Sequence, residues 1–120
     1  MAVKSGKRID GRAFACEELT ITDCTFKHGP GRSLGSETFG GVKNVRVRNC
    51  SFEATDNGIR IKSDPIRGGT VENAVCKNIT MKDVRGAITI PSYYPKNPAT
   101  DTVQPVTGRT PRRRNLTIQT

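Results

Sequence analysis

The sequence predicts an all-β chain wound as a right-handed parallel β-helix, a single-stranded solenoid. Three observations carry that expectation. Two ladders of short apolar-alternating segments take turns along the chain, at repeat-to-repeat steps of 26 to 37 residues. Period-two alternation over a few residues argues for strands, and the Gly, Pro and Asn between them argue for turns. No intervening stretch carries a helical apolar period. Short strands recurring at a solenoid period suggest stacked coils that bury their inward residues against each other. An antiparallel sandwich would not require matching residue columns in successive units.

One ladder opens the chain with "AVKS" from Ala2 and continues through "SLGS" from Ser33, "RIKS" from Arg60 and "TIPS" from Thr89. Its serines are Ser5, Ser36, Ser63 and Ser92, and its inward row is expected to be Val3, Leu34, Ile61 and Ile90. The other ladder reads "CEELTITDC" from Cys16, "VKNVRVRNC" from Val42, "CKNITMKDV" from Cys76 and "RRNLTIQT" from Arg113. Its apolar pairs are Leu19/Ile21, Val45/Val47, Ile79/Met81 and Leu116/Ile118, with Asn44, Asn78 and Asn115 in a shared column ahead of three of them. Residues 1–120 are expected to form one partial β-helix domain of about three and a half coils, close to the roughly three repeats a solenoid needs. Both ends read as cut, because each would leave an uncapped strand edge open to self-association. The Pro-rich excursion over 91–114 is expected to be a long loop on one face, bordering a groove.

On this alignment Cys16 and Cys76 share a column with Val42, and Cys24 and Cys50 share one with Val84. A residue that interchanges with valine reads as a small buried hydrophobe. The same stacking leaves a disulfide between neighbouring coils open. No C-x-x-C or His/Cys cluster suggests zinc, so neither metal nor cofactor is expected. Asn49, Asn78 and Asn115 lie in N-x-S/T triplets, but the asparagine column reads as a side-chain ladder before it reads as a set of glycosylation sites.

Twenty Lys and Arg against eleven Asp and Glu leave a net charge of +9. That excess favours polyanionic partners, whether nucleic acid, an anionic membrane surface or an acidic polysaccharide. No run approaches eighteen apolar residues, which argues against a membrane span, and "MAVKSGKRIDGR" lacks the apolar core of a secretory signal.

The stretch "HGPGRSLGSETFGGVKNVRVRNCSFEATDNGIRIKS" resembles glycoside hydrolase family 28, the polygalacturonases, and the bacterial members most closely. The resemblance runs from "AVKSG" to "PSYYPKNPATDTVQPVTGRTPRRRNLTI". It implies a pectin-lyase-like β-helix that hydrolyses pectic polygalacturonate with inversion along one sheet, outside the cell or in the periplasm. The family's motifs are N-T-D, then D-D, then G-H-G followed by S-I-G-S, then R-I-K. Arg60-Ile61-Lys62 matches the last unchanged, and the resemblance implies that Arg60 and Lys62 bind substrate carboxylate. That role suits a guanidinium that grips a carboxylate through two hydrogen bonds and an ammonium that adds a point charge. Strand alternation puts both on one face and turns Ile61 inward. Tyr93 or Tyr94 corresponds to a subsite tyrosine of the family, with Tyr93 the chosen candidate; packing is the plainer role for either.

With Ser33-Leu34-Gly35-Ser36 on S-I-G-S, the family's G-H-G falls on Gly29-Pro30-Gly31, so Pro30 occupies the catalytic histidine position. His28, the chain's only histidine, is a weak catalytic candidate that would require a two-residue loop shift. Inverting hydrolysis needs an acid and a base about 6.5–9.5 Å apart, and the N-T-D and D-D motifs that supply them lie before "AVKSG". Asp56 in "TDNG" reads as a turn residue, and Asp10, Asp23, Asp64, Asp83 and Asp101 fall in turns or loops without acid–base pairing. The chain therefore reads as a polygalacturonase-like fragment that binds but does not cleave on its own. Two alternatives stay open: a non-catalytic module for acidic polysaccharide, and a nucleic-acid binder led by "RTPRRRN", which lacks interleaved aromatic residues.

Overall fold

The structure is a computed structural model that describes residues 1–6, 8–95 and 101–119. Ten strands and no helix make up the described residues. Strands β1 (Ala2–Val3), β5 (Arg32–Leu34), β7 (Asn57–Ile61) and β9 (Gly86–Thr89) form a four-stranded parallel sheet in that order. The second sheet stacks β2 (Cys16–Glu17), β3 (Thr20–Thr22) and β4 (Thr25–Lys27) on β6 (Val42–Glu53), then β8 (Thr70–Lys82) and β10 (Arg112–Gln119). Every strand–strand pairing is parallel, and neighbours in each sheet are successive turns of the chain. Parallel neighbours joined this way wind right-handedly, which gives the expected right-handed parallel β-helix.

The long strands are bent. Glu18, Asn44, Asn73 and Asn115 all adopt φ between 52° and 57°, a left-handed conformation that Asn tolerates because its short amide bonds locally. Asp23, Asn49 and Asn78 form a second such column five residues on, and His28, Ala54 and Asp83 form a third. These are the corners of each coil, and the side chains of the first two columns stack. Asn73 Nδ2 donates to Asn44 Oδ1 at 3.1 Å and Asn115 Nδ2 to Asn73 Oδ1 at 3.0 Å. Asn78 Nδ2 donates to Asn49 Oδ1 at 2.8 Å, and Asn49 Nδ2 to Asp23 Oδ1 at 3.2 Å. The amide nitrogens of Asn49, Asn78 and Asn115, where a glycan would attach, are all used in these ladders.

The register corrects the expected columns of the longer ladder. Val45 and Val47 lie beside Ala74 and Cys76, not Ile79 and Met81, and Leu116 and Ile118 continue the same two rows. Asn78 belongs with Asn49, and Asn73 takes the place assigned to it. Cys76 stacks on Val47, whereas the neighbours of Val42 are Cys16 and Val71. Cys50 pairs with Ile79, not with a valine at 84. The cause is a pseudo-repeat inside each coil: an asparagine corner recurs every five residues, so the motif matches itself when slipped by one corner.

Inside the coil, Val42, Val45, Val47, Cys50 and Phe52 of β6 are at most 2 % exposed and meet Ile59 and Ile61 of β7. Phe26 and Phe52 stack with ring centroids 4.9 Å apart. Val3, Leu34 and Ile61 lie side by side as expected. Ile90 lies one residue past edge strand β9 and is 46 % exposed. The four thiols are free, Cys50 and Cys76 being buried. Burial raises the pKa of the Cys76 thiol, against the opposing pull of Arg32.

Two arginines occupy inward rows. Arg32 pairs with Ile59 and Arg113 with Val71. Arg113 reaches out of the core: its Nη2 donates to the Pro91 carbonyl at 2.8 Å and its Nη1 to Ser92 Oγ at 3.2 Å. Arg32 is 2 % exposed, and neither Nη1 nor Nη2 has a hydrogen-bond partner among the described residues. Burial lowers the pKa of both guanidinium groups.

Candidate functional site

The two cations singled out from the sequence lie at the C-terminal end of β7, Arg60 in the strand and Lys62 one residue past it. Arg60 sits between Ser33 and Thr89 in register, and Ile61 between them in sequence is 2 % exposed, so Arg60 and Lys62 share the outer face. Two glycines let the preceding coil lie close beneath them. A Cβ on Gly31, at φ +73°, would fall 1.7 Å from the Asn57 carbonyl oxygen, and one on Gly35, at φ +96°, 2.1 Å from that of Lys62. Asn57 ties the rungs together, donating to the Pro30 carbonyl at 3.3 Å and accepting from Thr89 Oγ1 at 3.3 Å.

Above the pair lies Tyr94. Its ring centre is 4.8 Å from the Arg60 guanidinium carbon and 4.2 Å from Lys62 Nζ, both within cation–π range. Tyr93 points elsewhere, its hydroxyl donating to the Thr102 carbonyl. The Pro91–Ser92 segment that carries Tyr94 in is held by Arg113, 21 residues beyond Ser92. Sequence reasoning weighed Tyr94 but chose Tyr93, and it missed Arg113. Nothing in the local sequence connects Arg113 to Ser92; only the alignment of β10 on β8 does.

The other candidates have structural settings. His28 is exposed and occupies the third corner at φ 58°, its N–H donating to the Glu53 carbonyl at 3.1 Å. Pro30 offers only its carbonyl, to Asn57. Asp56 lies 3.9 Å from Arg85, and Asp64 Oδ1 accepts the Ile66 N–H at 3.2 Å. Asp23 is part of a corner ladder, and Asp83 is a corner residue. The described residues contain no group of three or more His, Cys, Asp or Glu able to hold a metal ion. Within "RTPRRRN", Arg113 bonds Pro91 and Ser92 and Arg114 Nε bonds Glu72 Oε2 at 2.7 Å, so two of that run's arginines are engaged within the chain.

Fold and site together define a solenoid with a cationic, tyrosine-covered face on one parallel sheet, a surface suited to an extended acidic ligand. Comparison with known proteins agrees with that class. The model of glycosyl hydrolases family 28 matches residues 1–111, and the chain belongs to that family. A polygalacturonase of Ralstonia nicotianae is 42 % identical over 84 residues, covering 67 % of this chain and 16 % of the relative. An endo-polygalacturonase of Pectobacterium parmentieri is 40 % identical over 96 residues, or 80 % of this chain and 23 % of its own length. A probable endopolygalacturonase I of Aspergillus flavus is 33 % identical over 110 residues, 90 % of this chain and 27 % of the relative. The chain thus spans about a quarter or less of the first curated relatives it matches. No solved structure matches.

Proposed function

We propose that this chain contributes the carboxylate-binding part of a polygalacturonase-type site acting on pectic polygalacturonate outside the cell or in the periplasm. One observation carries the reading: Arg60 and Lys62, on one face at the end of β7, lie beneath a single aromatic ring. Arg60 takes the carboxylate of a galacturonate unit in a two-bond grip, and Lys62 adds an unoriented positive charge. Arg113 is a positioning residue that anchors the segment bearing Tyr94, and Tyr94 takes the subsite role in preference to Tyr93, whose hydroxyl is bound to Thr102. His28 has no assigned step: it is an exposed corner residue held by its backbone N–H on Glu53. Asp10, Asp23, Asp56, Asp64 and Asp83 lie in corners, turns or surface pairs, which supports a binding role for this chain, with the acid–base pair of inverting hydrolysis supplied by other residues of the complete enzyme.

Two measurements test this. Polygalacturonate binding, followed across a salt series, should weaken about tenfold or more on Arg60→Ala and on Lys62→Ala, the loss expected for a charged hydrogen bond. Reducing-sugar release by this chain alone should be undetectable. Binding that both substitutions leave unchanged would sink the assignment, and robust turnover would overturn the division of labour. DNA binding controlled by Arg112 and Arg114 would favour a nucleic-acid partner instead.

A further inference from the structure

A concave surface lies just beyond the cationic Arg60–Lys62 face, the binding trough proposed above. Where the chain leaves β1, β5 and β7, and again before β10, four loops enclose a cleft of about 770 Å³, within the size range of small-molecule sites. Its walls come from different coils: Arg8 from the first, Phe39 from the second, Ile66 and Arg67 from the third, and Arg109 from the segment leading into β10. Asp64, also on the wall, follows Lys62 by two residues, so at most about 7 Å of extended chain separates cleft from trough.

The chemistry of the lining is uneven. Its two carboxylates already have partners: Glu37 lies 3.6 Å from Lys4 Nζ, and Asp64 takes the Ile66 N–H. Of its three guanidinium groups, Arg67 is oriented by one hydrogen bond from Nη1 to Ser36 Oγ at 3.0 Å, which leaves the rest of its five-donor fork for a ligand. Arg8 lies over the Phe39 ring at 6.0 Å, the outer limit of a cation–π contact. Arg109 is exposed. Ile66 is 59 % exposed, an apolar side chain beside an aromatic one at the rim of a basic cleft. The site therefore combines a flat apolar platform with guanidinium groups.

We infer that this cleft is a second binding site for a carboxylated sugar ring, the ring face lying on Phe39 and Ile66 and the carboxylate held by Arg67 and Arg109. The choice of a uronate rests on the function proposed above; the position and charge of the cleft do not. A polyuronate long enough to leave the trough past Lys62 reaches the cleft, and the second contact then forms at high effective concentration.

The test uses the intact chain carrying Arg60→Ala and Lys62→Ala together, titrated calorimetrically with a galacturonate trimer, with polygalacturonate, and with a neutral glucose trimer. The doubly substituted chain should still bind the acidic trimer and not the neutral one. Adding Phe39→Ala or, at an exposed position that leaves folding intact, Arg109→Ala should weaken the residual binding at least about tenfold. Retention of the polymer as well assigns the cleft to chain interiors, and retention of the trimer alone assigns it to free ends; either result supports the site. Residual binding that neither added substitution changes would overturn it. So would a double variant that binds nothing while the parent chain binds, or equal binding of the neutral trimer. If the double variant binds as well as the parent and Arg109→Ala removes that binding, the Arg60/Lys62 reading fails while the cleft stands.

Discussion

The two sheets of this solenoid are built by different rules. The sheet of β6, β8 and β10 is the more regular, with inward rows of aliphatic, thiol and aromatic side chains interrupted by Arg113 near the start of β10, and with corners every five residues, the first two carrying stacked amides. The sheet of β1, β5, β7 and β9 is short and irregular. It points one arginine inward, two cations outward, and leaves Ile88 50 % exposed on its edge strand. The regular sheet supplies most of the buried apolar contact, whereas the irregular one presents chemistry. Departures from the repeat therefore mark candidate functional positions, since rigid repeated rungs hold the exceptions in place.

The largest test of that division is a paired truncation. Phe52→Ala, in the regular sheet, removes a fully buried ring that stacks on Phe26 and should cost about 3–5 kcal/mol. Ile88→Ala, at the half-exposed edge, should cost less than about 1 kcal/mol by the area it hides. Chemical denaturation of both variants measures the difference, and equal losses would dissolve the contrast.

The two inward arginines sharpen it. Among the described residues neither terminal nitrogen of Arg32 has a hydrogen-bond partner, so Arg32→Leu exchanges a buried charge for an aliphatic side chain and should raise stability by about 1–3 kcal/mol. Arg113 bonds Pro91 and Ser92, so Arg113→Leu should lower stability by about 1–2 kcal/mol. It should also weaken polygalacturonate binding by releasing the segment that carries Tyr94. Denaturation midpoints of opposite sign are the expected outcome; a loss from both would mean that Arg32 has an interior partner.

The smallest effect concerns the corners. Asn73→Ala loses two ladder hydrogen bonds and places a Cβ residue without a local partner at φ 53°, for about 1–2 kcal/mol. Asn73→Gly loses the same bonds but fits the corner, and should recover part of that loss. Thermal melts of the pair separate backbone conformation from side-chain stacking; a glycine variant no more stable than the alanine variant would assign the whole effect to the ladder.

Much of this architecture was legible in the residues. The alternation of two strand types, the Val3–Leu34–Ile61 row and the shared face of Arg60 and Lys62 all follow from local periodicity, and the structure retains them. The register of the longer ladder did not follow. A corner motif repeating every five residues fits its neighbour at more than one offset, so local periodicity leaves the rows of Cys76 and Asn78 ambiguous by one corner. Only the packing of whole coils fixes that choice, because one offset aligns every inward side chain at once.

The sequence by itself determined the solenoid and the cationic strand, since both depend on side chains two residues apart on an extended backbone. Tertiary structure alone decided that Tyr94 covers those cations, that Arg113 anchors the segment bearing it, and that a basic cleft opens beyond Lys62. Each of these joins residues from different rungs, and contact between rungs depends on register and loop path, which pairwise local preference does not encode.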